Sequence, residues 1–457
     1  MSRIASIVDR FGFLLLAASV AIAPIPFGSN NAGWAGCLGL LLCISLLATT
    51  ALPQANRAIT RLYGAAVLLG VVLVVCAVVQ VTPWGYPVWT NTIWVKASRF
   101  IGESDSIISA SRYQPLHSTG HALLAIAAFI CALVYVRDGS RYMAFAHTLL
   151  VAGTAATLFC IGQSYLSPDW LLWAEKKHYV GSFTGTFVNP NTAATYFGSM
   201  LLLSGSIALH QLEDVNVRRL TLGQSRWSAH ERRQVRSFAI YAALAFVFVV
   251  ALLLTRSRGG ILSSLIGVAV FSAVYLFSTL RRSNSVLASA ALAGSALLVG
   301  AVGFVVYSGG LLRRLEIEGL TDEARLCVYG ATWRAITDNF WGGTGLGTFQ
   351  DILTSYRQPE CKLYGYWDMA HNVFLEGWLG LGVVFLGCVA VAYYGLLISF
   401  MHGMRERHRF RFVPLLNLCL LLLVSLHSMV DFSPGVALPV AAALGAGCAI
   451  SLGRRID

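Results

Sequence analysis

Runs of about twenty apolar residues recur along the whole chain, and this pattern restricts the fold more than any other feature. A helix of that length, rising 1.5 Å per residue, crosses a hydrocarbon core of about 30 Å. Within lipid every backbone N–H and C=O needs an internal partner, so such runs are helical. Twelve spans are expected: 10–27, 33–50, 62–82, 118–136, 143–163, 186–210, 237–254, 258–279, 286–307, 373–400, 412–430 and 435–452. The composition agrees, because 56% hydrophobic and 12% charged residues leave too little charge to cover a soluble chain of 457 residues. No internal repeat, low-complexity tract or terminal soluble domain stands out, so residues 1–457 read as one all-α integral membrane domain. Two long connections remain, 83–117 and 308–372. The first run lies near the start, where a cleaved leader would be, but a second full-length run follows and no small-residue cleavage site is evident. It is expected to be a retained anchor.

Charge orients the bundle. With the N-terminus placed in the cytoplasm, the segments on that side carry a net +13 and those on the other side −1, out of a total of +12. The cytoplasmic basic residues are all Arg, as in Arg232/Arg233/Arg236 and Arg405/Arg407/Arg409/Arg411, while all four Lys fall on the opposite side. This is the positive-inside distribution, and it puts both termini in the cytoplasm. The basic balance is thus topological and gives no reason to expect nucleic acid, although segment 211–236 has the charge to touch anionic membrane lipids.

Against that bias, certain polar residues collect on the outer side. Arg256 and Arg258 lie in the tight connection T-R-S-R-G-G between the seventh and eighth spans, where Gly259 and Gly260 are expected to take unusual backbone angles. Two readings are open for the arginines: snorkelling to headgroups, or holding a phosphate or diphosphate with the guanidinium fork. In G-T-F-V-N-P-N-T, Pro190 suits a helix start capped by Asn191 or Thr192, and Asn189 and Asn191 are candidates to line a polar cavity. The segment from 322 to about 338, with Arg325 and Arg334, reads as an amphipathic helix. The glycines of G-G-T-G-L-G (342–347) follow no strand and lead to no G-K-[ST], which excludes a nucleotide loop. His371, at the mouth of the tenth span with Glu376 one turn on, has a ring suited to proton transfer. His427 and Asp431, four residues apart, would share a helix face and could pair, as a lock between helices or as a second ionisable couple. Of ten Cys, eight lie in or beside spans; Cys327 and Cys361 share the large outer loop and are either bridged or free thiols. No metal-ligand motif and no G-x-S-x-G is present, so neither a metal nor another cofactor is expected.

Taken in order, PIPFGSNNAGWAG, GTFVNPNTAATYF, TRSRGG, RLCVYGATWRAI…GGTGLGTF, AHNVFLEGWLGLG and HSMVDF resemble the bacterial O-antigen ligase and Wzy-type polysaccharide polymerase superfamily. The pieces touch most of the chain and are dense from about 181 to 435. The resemblance implies a metal-independent glycosyltransferase with a GT-C-like helical architecture and a large, partly helical periplasmic loop. Its donor would be a glycan on undecaprenyl diphosphate, and its acceptor lipid A–core or another glycan. By the same resemblance Arg258 and Arg325, with Arg256 beside them, would neutralise the diphosphate, and His371 would orient or deprotonate the acceptor hydroxyl or contact the diphosphate. The motifs do not separate ligase from polymerase, though the wording of the resemblance is nearest the ligase. The loop continues H-N-V-F-L-E-G-W where many relatives have a longer polar stretch. A transporter would instead need ionisable groups near the bilayer midplane and inverted repeats.

Overall fold

The computed structural model describes residues 3–48, 56–86, 90–102, 106–213, 227–280, 323–358, 361, 367–431 and 433–453. Among them are fifteen α-helices: α1 (Arg3–Ile22), α2 (Ala32–Leu47), α3 (Arg57–Val81), α4 (Thr92–Ile101), α5 (Gln114–Tyr135), α6 (Gly139–Leu166), α7 (Pro190–His210), α8 (Ala229–Leu254), α9 (Arg258–Leu280), α10 (Glu323–Asp338), α11 (Phe349–Tyr356), α12 (Val373–Leu381), α13 (Val383–Glu406), α14 (Phe412–Ser428) and α15 (Ala437–Leu452). Eight of these, α1, α3, α5, α6, α7, α8, α9 and α13, are long and apolar enough to cross a membrane; α2, α14 and α15 are shorter apolar helices. The expected span 286–307 lies outside the described residues. A two-stranded hairpin, Trp170–Leu171 with Ala174–Glu175, follows α6.

Local chemistry sets the helix starts. Asn31, Asn56 and Asn91 each accept a backbone N–H two residues on, and Asp138 accepts that of Arg141. Ser228 and Glu231 form a reciprocal capping box before α8. Two helices form the centre. In α7 nearly every residue is buried in the bundle, whereas α3 and α13 turn most of their surface outward. The other is α15, whose sequence A-L-P-V-A-A-A-L-G-A-G-C-A is small enough to approach α5; at Gly445 a Cβ would strike the Phe129 carbonyl. At the N-terminal end of α1, Asp9 is buried between Arg137 and Arg141, tying α1 to the α5–α6 turn.

The large connection folds into a layer of its own. Val328, Ala331, Ala335 and Ile336 of α10 recur at helical spacing and pack against Phe349, Ile352 and Leu353 of α11 and Leu379 of α12. The expected span 373–400 is therefore divided: α12 belongs to this layer, and the apolar spanning helix starts at Val383. The break is at Gly382, whose φ of 60° and contact with the Trp341 carbonyl exclude a side chain. The glycine-rich stretch 342–347 is the clasp. Thr344 and Gly345 donate to the carbonyls of Leu379 and Gly380, Ala110 donates to Thr344, and Gln80 of α3 donates to Gly342 and Gly380.

Cys327 and Cys361 are bridged, with Cα atoms 5.9 Å apart and a sequence separation of 34. A loop of that size contributes about 3–4 kcal/mol through the chain entropy of the open form. Replacing both by Ser is expected to make the α10–α12 layer cleave at lower temperature in a proteolysis series. An unchanged cleavage midpoint would show that the packing alone holds the layer.

Candidate functional site

Four elements meet at one end of the bundle: the α8–α9 connection, the start of α7, the turn before α12 and the turn after α14. The approach of α9 depends on two glycines. A Cβ on Gly259 would lie 2.9 Å from Val430 Cγ2, and one on Gly260 would collide with the Ala194 Cβ. Both glycines are helical; the left-handed residue of the connection is Arg256, with φ 54°. The expectation of unusual angles at Gly259 and Gly260 is thus corrected: their smallness serves close packing, and Arg256 makes the turn. Ser257 ties the connection to α7, donating through its hydroxyl to Asn191 Oδ1 at 2.7 Å. The cap of α7 is Asn189, which accepts the Asn191 N–H, with Pro190 as first helical residue, rather than Asn191 or Thr192.

His371 is held in the left-handed region at φ 52°, uncommon for a residue with a side chain. Its neighbours fix it there. The Tyr329 hydroxyl donates to the His371 carbonyl at 3.0 Å, and Asn372 caps α12 while its amide donates to the Met429 carbonyl. Ala370 donates its N–H to the Glu376 carboxylate. So oriented, His371 Nδ1 lies 2.7 Å from Oδ1 of Asp431, which is 1% exposed at the turn after α14. A carboxylate only accepts, so in the neutral ring this contact puts the proton on Nδ1 and the lone pair on Nε2. Asp431 is thus directed to His371. His427, expected as its partner, turns to α7 instead, with Nδ1 2.9 Å from the Thr195 hydroxyl and Nε2 buried without a hydrogen bond among the described residues. The i, i+4 spacing is realised in the backbone, where the Asp431 N–H donates to the His427 carbonyl.

Beside this pair lies a cavity of about 400 Å³ whose lining includes Arg256, Arg325, Lys176, Tyr179, Asn191 and Ser257. Arg325, one turn into α10, donates to the Val430 carbonyl at 2.7 Å, so the α10 layer is fastened next to Asp431. Tyr179 also has positive φ. Burial first, then the negative charges of Asp431 and Asp368, raise its phenol above the usual value, and Arg325 opposes this. The phenol therefore keeps its proton and is a hydrogen-bond donor at neutral pH. Three cations with hydroxyls, phenols and an amide around them, and no carboxylate in the lining, make an anion-accepting site. Arg258 is half-buried at the first position of α9, next to this lining. Arg334 is elsewhere: it donates to the Tyr356 carbonyl and braces α10 against α11. Lys176, Tyr179, Tyr329, Asn372 and Thr195 are not singled out by sequence reasoning. The available signal was charge, since Lys176 and Lys177 stand on the acid-rich side of the count. Among the described residues no group of three or more His, Cys, Asp or Glu is gathered for a metal ion.

This is a polytopic helical membrane protein with a cationic cavity and a histidine–carboxylate pair at one end of the bundle. Residues 243–390, about a third of the chain, match the family model described as O-antigen ligase (Wzy_C), and this similarity supports an O-antigen ligase/Wzy-type reading. A search of curated proteins finds no match. The matched segment contains Arg256, Arg258, Arg325, Arg334, His371 and both bridged cysteines. It ends before His427 and Asp431, and the α6–α7 wall of the cavity precedes it.

Proposed function

We propose that the protein transfers a glycan from undecaprenyl diphosphate to an acceptor hydroxyl at the periplasmic face of the bacterial inner membrane, in the manner of an O-antigen ligase acting on lipid A–core. The observation that carries this reading is the adjacency of the two features: Arg256, Arg325 and Lys176 line one cavity, and the His371–Asp431 pair borders it through Arg325 and Val430. The diphosphate occupies the cationic cavity, with Arg258 adding charge from the start of α9. His371 Nε2 takes the acceptor hydroxyl proton as the acceptor oxygen bonds to the anomeric carbon. The bond from that carbon to the phosphate oxygen breaks with inversion, and the arginines receive the charge that develops on the leaving diphosphate. Asp431 stabilises the imidazolium so formed. The charge is met by guanidinium and ammonium groups, so the proposed reaction runs without a metal. The charge distribution, +13 against −1, supports this side for the site and cytoplasmic termini.

Purified protein incubated with an undecaprenyl-diphosphate-linked glycan tests the proposal. With lipid A–core added, a ligase moves the glycan onto that acceptor and releases undecaprenyl diphosphate. Growth of the lipid-linked glycan by one unit, with lipid A–core untouched, assigns the Wzy-type polymerase instead. No transfer to either acceptor, by protein with its disulfide intact, refutes the proposal.

A further inference from the structure

A second cavity, of about 550 Å³, opens at the far end of α10. Its lining includes Thr90, Asn91, Asp338, Asn339, Phe340 and Trp341. Trp341 is 75% exposed, yet its mount is rigid. Phe340 packs edge-on against it at 5.2 Å and bridges it to Trp378, and its own carbonyl abuts Gly382, where only glycine fits. The clasp at 342–345 fixes the chain immediately after it. An exposed indole on a rigid backbone has little entropy to lose on binding. The Trp341 indole shares the cavity with apolar Val79 and Ile108 and with the Asp338 carboxylate, the Thr90 hydroxyl and the Asn91 and Asn339 amides, the last two held in place by bonds to the Ile108 and Ala335 carbonyls. A flat apolar ring beside fixed hydrogen-bonding groups is complementary to a sugar, which offers a C–H face and a rim of hydroxyls.

We propose that this cavity is a remote glycan-binding subsite that holds a sugar of the substrate chain away from the reaction centre. This rests on the glycan-transfer reading above. Arg325 at the catalytic cavity and Asp338 at this one are thirteen residues apart on a single helix, roughly 20 Å along its axis. A single short repeat at the diphosphate does not reach from one to the other, whereas an extended chain of several sugars does. The helix that carries the diphosphate-binding arginine thus also sets the distance to the subsite, and long glycans gain a contact that short ones lack.

The test compares a donor bearing one repeat unit with a donor bearing several, using wild type, Trp341→Ala and Trp341→Phe. For Trp341→Ala, KM for the long donor is expected to rise about tenfold, with kcat unchanged and both constants unchanged for the short donor. Trp341→Phe, which keeps an aromatic face, recovers part of the loss. A second arm records saturation-transfer NMR of the free long glycan with wild type and with Trp341→Ala. Signal in wild type that is lost in the variant supports the subsite, and absence of signal in wild type overturns it. The subsite is also overturned if Trp341→Ala shifts KM equally for both donors, shifts neither, or lowers only thermal stability, as an aromatic anchor at the lipid interface would. Failure of wild type to transfer from any donor refutes the glycan-transfer reading instead, and the NMR arm still decides the subsite.

Discussion

Replacement of His371 by Ala is expected to lower the rate of glycan transfer by roughly 10²–10⁴-fold while leaving the amount of protein in the membrane near normal. The chemical part of this follows from the geometry. Nδ1 is committed to Asp431, so Nε2 is the basic nitrogen, and the ring cannot rotate away without breaking a 2.7 Å bond to a buried carboxylate. The structural part follows from how little the side chain holds. The turn is kept by the His371 carbonyl to Tyr329, by the Asn372 cap and by the Asn372 bond to Met429, none of which uses the imidazole. Asp431→Asn should come close to the same loss, because an amide fits the space and does not stabilise an imidazolium. The pair is measured with purified variants at saturating donor and acceptor, with the Cys327–Cys361 bridge checked by alkylation. Wild-type kcat in both variants would remove the base from the mechanism.

What the sequence makes legible here follows period and charge. The spans are visible because a bilayer demands length and hydropathy together, and Gln114–Tyr135, Gly139–Leu166 and Arg258–Leu280 begin within a few residues of expectation. The division at Gly382 is hidden because α12 and α13 are both apolar; only a contact from Trp341, forty-one residues earlier, shows why the helix must break there. The site behaves in the same way. Arg256 and Arg258 stand out by opposing the charge bias and His371 by its place at the mouth of a span, whereas Arg325 is singled out only by the resemblance. Asp431 was visible but paired with the wrong histidine, because i, i+4 spacing describes one helix and Asp431 lies past the end of α14, where its side chain meets another segment. Arg334, on the same helix as Arg325, was a candidate to line the site. At nine residues apart they face different ends of the layer, and Arg334 holds a carbonyl of α11. Tyr179 comes from a connection without periodicity, so nothing local could mark it.

Arg325 is expected to be the most demanding position of the cavity, and its substitutions separate charge from geometry. Arg325→Ala should reduce kcat by about 10²–10³-fold, the range found when one preorganised donor to a developing charge is removed. Arg256→Ala should act mainly on KM for the donor, because Arg256 is exposed at the cavity edge and makes the turn with its backbone rather than its side chain. The informative variant is Arg325→Lys. One guanidinium N–H donates to the Val430 carbonyl, which fastens α10 beside Asp431, and in the proposed reaction the planar fork also meets phosphate oxygens. A lysine has one nitrogen for both tasks. If it keeps the tie to Val430 it turns away from the diphosphate, and if it follows the diphosphate the α10 layer loosens next to His371. Arg325→Lys should therefore recover less than about a tenth of wild-type kcat, although it preserves the charge. Full recovery by Lys would mean that point charge alone is needed and that the Val430 bond has no catalytic consequence. Full activity in Arg325→Ala would place the diphosphate somewhere other than this cavity.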